Sequence, residues 1–216
     1  MSQLVKKLTI YLLAAAMLIG FALQFDNWKL MPDHADAWGY YVYLPSVFIF
    51  HDLATLEKAV EVRTRIHPGS VGSNPGRPYG LVELHETKMG KVGNKYTLGV
   101  ALMQAPFFAA GYAAAPILGY EKNGFTEPFY FMLLVSAVFY PLLGLFFLKK
   151  TLSKYFKKNT VPLVLPALLF GTNLLYFSTI NFMSHAYLFS LYCLLIYASD
   201  KWHETEKPSR WLTVLI

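Results

Sequence analysis

The sequence predicts an all-α protein: a polytopic bundle of transmembrane helices, with a long outer loop that carries juxtamembrane helices. Three observations lead there. The 216 residues are 55% hydrophobic and only 15% charged, well below the roughly 25% charge of a soluble domain. Uncharged stretches of about the 17–25 residues that a bilayer requires recur along the chain. The lysines and arginines gather at the ends of those stretches. The net charge of +6 therefore reads as membrane orientation and not as a nucleic-acid surface. The single cysteine, Cys193, lies inside an apolar run, so no intrachain disulfide framework is available.

Met1 to Lys7 is a short basic start. Residues 8–25 are free of charge and predict a first span. A cleaved signal peptide is the competing reading, and the absence of a small-x-small site before a polar start favours an uncleaved anchor. Residues 26–96 form the longest polar segment, the first part of an outer loop over 26–127. Within it, Glu57 to Ile66 predicts a short amphipathic helix, and His67 to Gly80, HPGSVGSNPGRPYG, predicts an irregular loop. The glycine spacing of that loop is no phosphate-binding signature, because no Gly-Lys-Ser/Thr follows.

Residues 97–118 are apolar but carry Pro106 and Pro116. Ala101, Ala105, Ala109 and Ala113, four residues apart, predict one close-packing face. Spans are expected over 129–148, 161–180 and 182–199. Trp211 to Ile216 reads as the opening turns of a further span, so the chain is expected to be the N-terminal part of a longer membrane domain. Residues 1–7, 149–160 and 200–210 hold ten Lys/Arg against three acids, whereas 26–127 holds nine against ten. The cluster KKTLSKYFKK at 149–158 should be cytoplasmic, as should the N-terminus. Two crossings between 26 and 149 would put that cluster outside. The prolines and glycines single out 97–118 as the stretch that enters without crossing, as a broken, re-entrant or surface-lying segment.

The chemistry-bearing residues concentrate between Asp33 and Asp52, DHADAWGYYVYLPSVFIFHD. Ionisable and aromatic groups on an apolar run suit an interfacial helix at the outer membrane face. His185 is expected at that same face, where the start of the span near Phe182 should pack close to the helix at Asp36 so that Asp36 and His185 share one cavity. No Asp, Glu, Lys or Arg lies inside the hydrophobic segments, which disfavours an ion-coupled transporter.

Three blocks, DAWGYYVYLPSVFIFHDL, NKYTLGVALMQAPFF and GTNLLYFSTINFMSHAYLF, carry a resemblance. The chain resembles the polytopic GT-C glycosyltransferases, the group of the protein O-mannosyltransferases and lipid A aminoarabinose transferases, and within it a bacterial subgroup. The shared pattern is a first span, then an outer loop opening with an acid before an aromatic-rich helix. The resemblance implies sugar transfer from a polyprenyl-phosphate-linked donor at the outer face of the bacterial inner membrane. It implies a general-base aspartate in the first outer loop, best matched by Asp36, with Asp33 as runner-up.

Such a reaction needs a base, positive charge or donors for the departing phosphate, and a slot for the lipid. Lys95 and His185 are candidates for the phosphate; snorkelling and an interhelical hydrogen bond are their plain readings. For Asp36 the plain reading is a solvated acid at a helix start. Tyr40, Tyr41 and Tyr43 read as interface anchors, with a sugar platform as the functional alternative for Tyr40 and Tyr41. His34, His51 and His67 with Asp33 or Asp52 match no metal motif; the resemblance leaves a divalent cation open. The rival class is a non-catalytic subunit or a flippase-like or transporter-like protein of envelope polysaccharide assembly. Thr172, Asn173, Ser178 and Thr179 are the residues that would line its groove.

Overall fold

A computed structural model describes residues 3–29, 35–67, 84–157 and 159–205. The described chain is mostly helical. Helix α1 (Gln3–Leu23) is drawn from the first uncharged run and ends where Gln24 and Phe25 turn their N–H groups back onto Phe21 and Ala22. A 3₁₀ turn, Asp26–Lys29, sets Trp28 edge-on against Phe131, with ring centroids 6.1 Å apart. It also brings Lys29 within 3.4 Å of Glu127.

The aromatic stretch forms α2 (Ala35–Tyr41), α3 (Tyr43–Pro45) and a π-helical turn, Ser46–Phe50. His51, at φ 54°, stops it. Helix α4 (Glu57–Ile66) agrees with the amphipathic helix read from the sequence. Asp52 caps it from outside, its Oδ2 accepting the Ala59 N–H at 3.0 Å. The inner face of α4 lays Arg63 over the ring of Trp38 at 4.3 Å. Both residues are fully buried, and a desolvated guanidinium gains most from an aromatic face. A small antiparallel hairpin, β1 (Leu84–Glu86) with β2 (Val92–Asn94), pairs Leu84 with Asn94 and Glu86 with Val92. The sequence analysis had not anticipated it. Val92 N–H donates to Ala54 at 2.8 Å and ties the hairpin to the turn before α4.

The remaining helices are α5 (Gly99–Ile117), α6 (Glu127–Tyr155), α7 (Val161–Gly171), α8 (Asn173–Thr179) and α9 (Ser184–Thr205). The others lean on α6, whose 29 residues span about 44 Å at 1.5 Å per residue. Helix α1 runs antiparallel to it, with Tyr11 against Phe146 at one end and Trp28 against Phe131 at the other. Helix α9 runs parallel to it: Tyr187 meets Ser136, Ser190 donates to the Tyr140 carbonyl, and Tyr197 packs on Phe147. Helix α5 runs antiparallel, from the Met103 carbonyl beside Tyr140 to Phe108 beside Phe129. Gln104 on α5 donates to the buried Tyr187 hydroxyl at 3.1 Å, and Ser136 on α6 lies 2.8 Å from it. The three helices thus share one polar knot in an apolar core, in which Gln104 Oε1 is buried and accepts no hydrogen bond from a described residue.

Three expectations change. Residues 97–118 are not broken: α5 runs through Pro106 without interruption. Pro106 and Leu102 lie on the exposed side, and the cost of the proline, a missing N–H and a ring against the Leu102 carbonyl, falls within α5 itself. The alanines at spacing four do not share a buried face. Ala101 is buried, but Ala109 and Ala113 are exposed, because each step of four overshoots the helical repeat by about 40°. The stripe that packs is Ala101, Gln104, Phe108, Gly111 and Ala115. Residues 161–180 are not one straight helix: α7 and α8 meet at a 61° bend. Thr172 is extended there, and its hydroxyl donates to Leu168 O at 2.6 Å and accepts from Leu174 N–H at 3.2 Å. That local bonding competes with the helix ladder.

Helices α5 and α6 are each long and apolar enough to cross a membrane, and the bent α7–α8 pair passes the same test jointly. Leu102, Ile117, Leu163 and Tyr192 are among the large apolar side chains left exposed. These features point to a membrane protein. Residues 211–216, expected to open a further span, lie outside the described residues.

Helices α6 and α9 approach closely at Gly144. A Cβ there would lie 2.9 Å from the Phe189 ring and 3.0 Å from the Ser190 Cα. Gly144→Val should therefore destabilise the protein by about 1–3 kcal/mol through overpacking, read as a lower melting midpoint in detergent. Gly20→Val on α1, where nothing lies within 4 Å, should leave the midpoint nearly unchanged.

Candidate functional site

Asp36 stands in the first turn of α2. Gly39, Tyr40 and Tyr43 follow it at helical spacing on the same side of the α2–α3 segment. Against that side lies the chain leaving β2, Asn94-Lys95-Tyr96. Tyr96 is its centre. The Tyr96 hydroxyl donates to Asp36 Oδ1. The ring packs on Tyr40 with centroids 4.6 Å apart. The Tyr96 carbonyl accepts from the Tyr43 hydroxyl at 2.5 Å, and its N–H donates to Asn94 Oδ1 at 3.0 Å. Asn94 Nδ2 in turn donates to the Gly39 carbonyl at 2.6 Å. Only glycine fits at position 39, because a Cβ there would overlap the Tyr96 ring.

This arrangement leaves Asp36 half-buried, with Oδ1 engaged and Oδ2 accepting no hydrogen bond from a described residue. Lys95 is exposed and holds its ammonium 4.8 Å from the centroid of the same Tyr96 ring. Desolvation raises the Tyr43 hydroxyl above the usual tyrosine pKa, so it stays a donor to Tyr96. The Tyr40 hydroxyl reaches across to Ser184 Oγ at 3.3 Å, at the first residue of α9. His185, the next residue, is exposed and stacks flat on Phe177, with centroids 4.0 Å apart and planes 7° apart.

Of the residues singled out from the sequence, Asp36, Tyr40 and Lys95 come together around Tyr96, with His185 one residue beyond the Tyr40–Ser184 contact. The expected meeting of α2 with the start of α9 is therefore present. It is a wall contact rather than a shared pocket. A cavity of about 200 Å³ lies behind the cluster, lined in part by Tyr43, Val92 and Asn94. Neither it nor the two larger cavities described below has Asp36 or His185 in its wall.

Tyr41 does not join the cluster. It is fully buried, donates to the Gly124 carbonyl and packs on Phe108, Phe125 and Tyr130. One step along a helix turns a side chain by 100°, so neighbours Tyr40 and Tyr41 cannot both face Tyr96. Asp33 and His34 lie outside the described residues. His51 is exposed, and His67 sits against the Phe125 carbonyl and the Tyr130 ring. Among the described residues, no group of three His, Cys, Asp or Glu could hold a metal ion.

Sequence analysis missed Tyr96, Asn94 and Ser184. Their only signal was membership of the NKY and MSHAY stretches, with no spacing that relates them to Asp36.

Gly39→Ala should push the Tyr96 ring off Asp36 and loosen the exit from β2. Amide exchange over 92–100 should then rise roughly tenfold, about 1.4 kcal/mol of local stability, while exchange in α6 stays the same. Gly99→Ala, which has open space around it, should leave both unchanged.

Set beside family models, curated proteins and solved structures, the chain gives no match in any of the three comparisons.

Proposed function

We propose that the chain is part of a GT-C-type membrane glycosyltransferase, which takes a sugar from a polyprenyl-phosphate donor at the outer face of the bacterial inner membrane. The observation that carries this reading is the state of Asp36. One carboxylate oxygen is held in place by Tyr96, and no described residue bonds the other. That is the arrangement a positioned general base needs. In the proposed step, Oδ2 takes the proton of the acceptor hydroxyl. The acceptor oxygen bonds to the anomeric carbon as the bond to the phosphate oxygen breaks on the opposite face. The electron pair leaves on the lipid phosphate, and the configuration inverts. Lys95 supplies positive charge beside the acid, and His185 is a donor at the start of α9. Tyr40 offers a ring edge to the sugar. The resemblance in the three sequence blocks names the donor class. A divalent cation has no ligand set among the described residues, so no step is routed through one.

The topology proposed with it is a polytopic bundle with a cytoplasmic N-terminus and 26–127 outside. The antiparallel run of α1 and α6 supports this, since Tyr11 and Phe146 lie together. The 149–158 lysines then share a membrane face with the start of the chain. That α5 enters without crossing rests on the lysine distribution alone, because its 19 residues are long and apolar enough to span.

A second reading has its own support. Tyr96 fills the space beside Asp36, and none of the three cavities reaches that acid. On this reading Asp36 anchors the outer segment of a non-catalytic subunit of envelope polysaccharide assembly.

Two measurements test these proposals. The protein in vesicles is incubated with a panel of labelled polyprenyl-phosphate sugars. Asp36→Asn keeps size and shape but removes the basic site, and transfer should fall by roughly 10²-fold or more, about 2.7 kcal/mol. Asp33→Asn should cost less, and Tyr96→Phe should lose activity while keeping the fold. Transfer by Asp36→Asn at the wild-type rate would move the assignment to the subunit reading. For the topology, cysteines placed singly at Lys122 and Lys154 should label from opposite membrane faces. Labelling from the same face would mean that α6 does not cross.

A further inference from the structure

The opposite end of the same helices carries a second feature. A cavity of about 410 Å³ lies between α1, α6 and α9. Lys149, Lys150, Lys154 and Lys201 line it together with Tyr11 and Tyr197, and no Asp or Glu stands in its wall. Asp200 and Glu204, just outside, answer part of the charge. Lys154 donates to both, and Lys201 lies 2.7 Å from Glu204. Among the described residues Lys149 and Lys150 form no ion pair, so their positive charge at the cavity wall is not offset by a carboxylate there. Lys150 is exposed and holds its ammonium 4.4 Å from the Phe146 ring centroid and 5.3 Å from that of Tyr197, a cation–π placement that keeps its charge at this wall. Ser153 adds a hydroxyl to the same wall.

A second cavity, about 280 Å³, lies between α1, α6 and α7. Its wall is apolar: Ala14, Leu142, Leu145, Leu165 and Leu169 are among its residues. Tyr11 and Lys149 line both cavities. A cationic chamber and an apolar groove with two wall residues in common match the two halves of an amphiphile. Free lysines on a membrane collar attract anionic lipid generally; a shared wall holds head and tail of one molecule in register.

We propose that these two cavities bind one anionic phospholipid, its phosphate among Lys149, Lys150, Lys154 and Lys201 and an acyl chain along the α1–α6–α7 groove. The site is distinct from the Asp36 cluster. Ser184 and Lys201 are separated by about 25 Å along α9 at 1.5 Å per residue. The proposal rests on the membrane reading above and is independent of glycosyl transfer. It holds α1, α6, α7 and α9 together at the basic end, where the lysines would otherwise repel one another.

The test places the protein in vesicles of equal parts phosphatidylcholine and phosphatidylglycerol and extracts it in mild neutral detergent. The lipids that remain bound are counted by native mass spectrometry. The wild type should retain phosphatidylglycerol over phosphatidylcholine by about tenfold. Lys149→Gln with Lys150→Gln should bring that ratio near unity, and Lys149→Arg with Lys150→Arg should preserve it. Ala14→Phe fills the groove and should lower phosphatidylglycerol retention while inorganic phosphate still raises the melting midpoint. An unchanged ratio in the glutamine pair overturns the proposal, as does an equal loss in Lys122→Gln at the far end. Displacement of the lipid by inorganic phosphate, with Ala14→Phe silent, would overturn it in favour of a soluble phosphate site.

Discussion

The seating of the Tyr96 ring on Gly39 is the constraint on which the polar half of this protein depends. The ring fits only because position 39 has no side chain. Once there, the ring packs on Tyr40 and under the Lys95 ammonium, its hydroxyl donates to Asp36, and the Tyr96 carbonyl accepts from Tyr43. Asn94 closes the arrangement by bonding both partners' backbones. The 94–96 stretch thus meets α2 and α3 through hydrogen bonds in which the Tyr43, Asn94 and Tyr96 donors each find an acceptor. Buried polar groups satisfied in this way specify a unique arrangement more sharply than apolar contact does.

On its other face, α2 is welded to the core by different means. Trp38 lies under Arg63, and Tyr41 fills the space between Phe108, Phe125 and Tyr130. The segment is therefore clamped, with its polar side turned to Tyr96 and α9 and its aromatic side to α5 and α6. Deeper in, Gly111 and Gly144 let backbones approach where side chains would hold them apart. The Gln104–Tyr187–Ser136 knot then sets the register of α5, α6 and α9. In an apolar surrounding, small residues and interhelical hydrogen bonds carry the association that water would otherwise drive.

The parallel run of α6 and α9 gives the molecule two chemically different ends. One carries the acid, the phenols and His185. The other carries the lysines, two carboxylates and the paired cavities. The α7–α8 segment returns the chain, so that α9 starts beside α2 and runs parallel to α6.

Much of this was legible in the sequence because it follows from local composition. Charge-free runs long enough to form helices, the amphipathic pattern of Glu57–Ile66, and the lysine cluster after Leu148 are properties of neighbouring residues. The acidic, aromatic opening at Asp36 could be singled out for the same reason. The unbroken course of α5 through Pro106 could not, because proline disfavours a helix interior locally and it is the packing of Ala101, Gln104, Phe108 and Gly111 against other elements that supports the helix on either side of it. The burial of Tyr41 beside an accessible Tyr40 depends on which side of a two-turn helix meets the core. Above all, the pairing of Asp36 with Tyr96 joins residues 60 positions apart. No periodicity links them; only the fold of the intervening chain brings a ring onto the one backbone position bare enough to receive it.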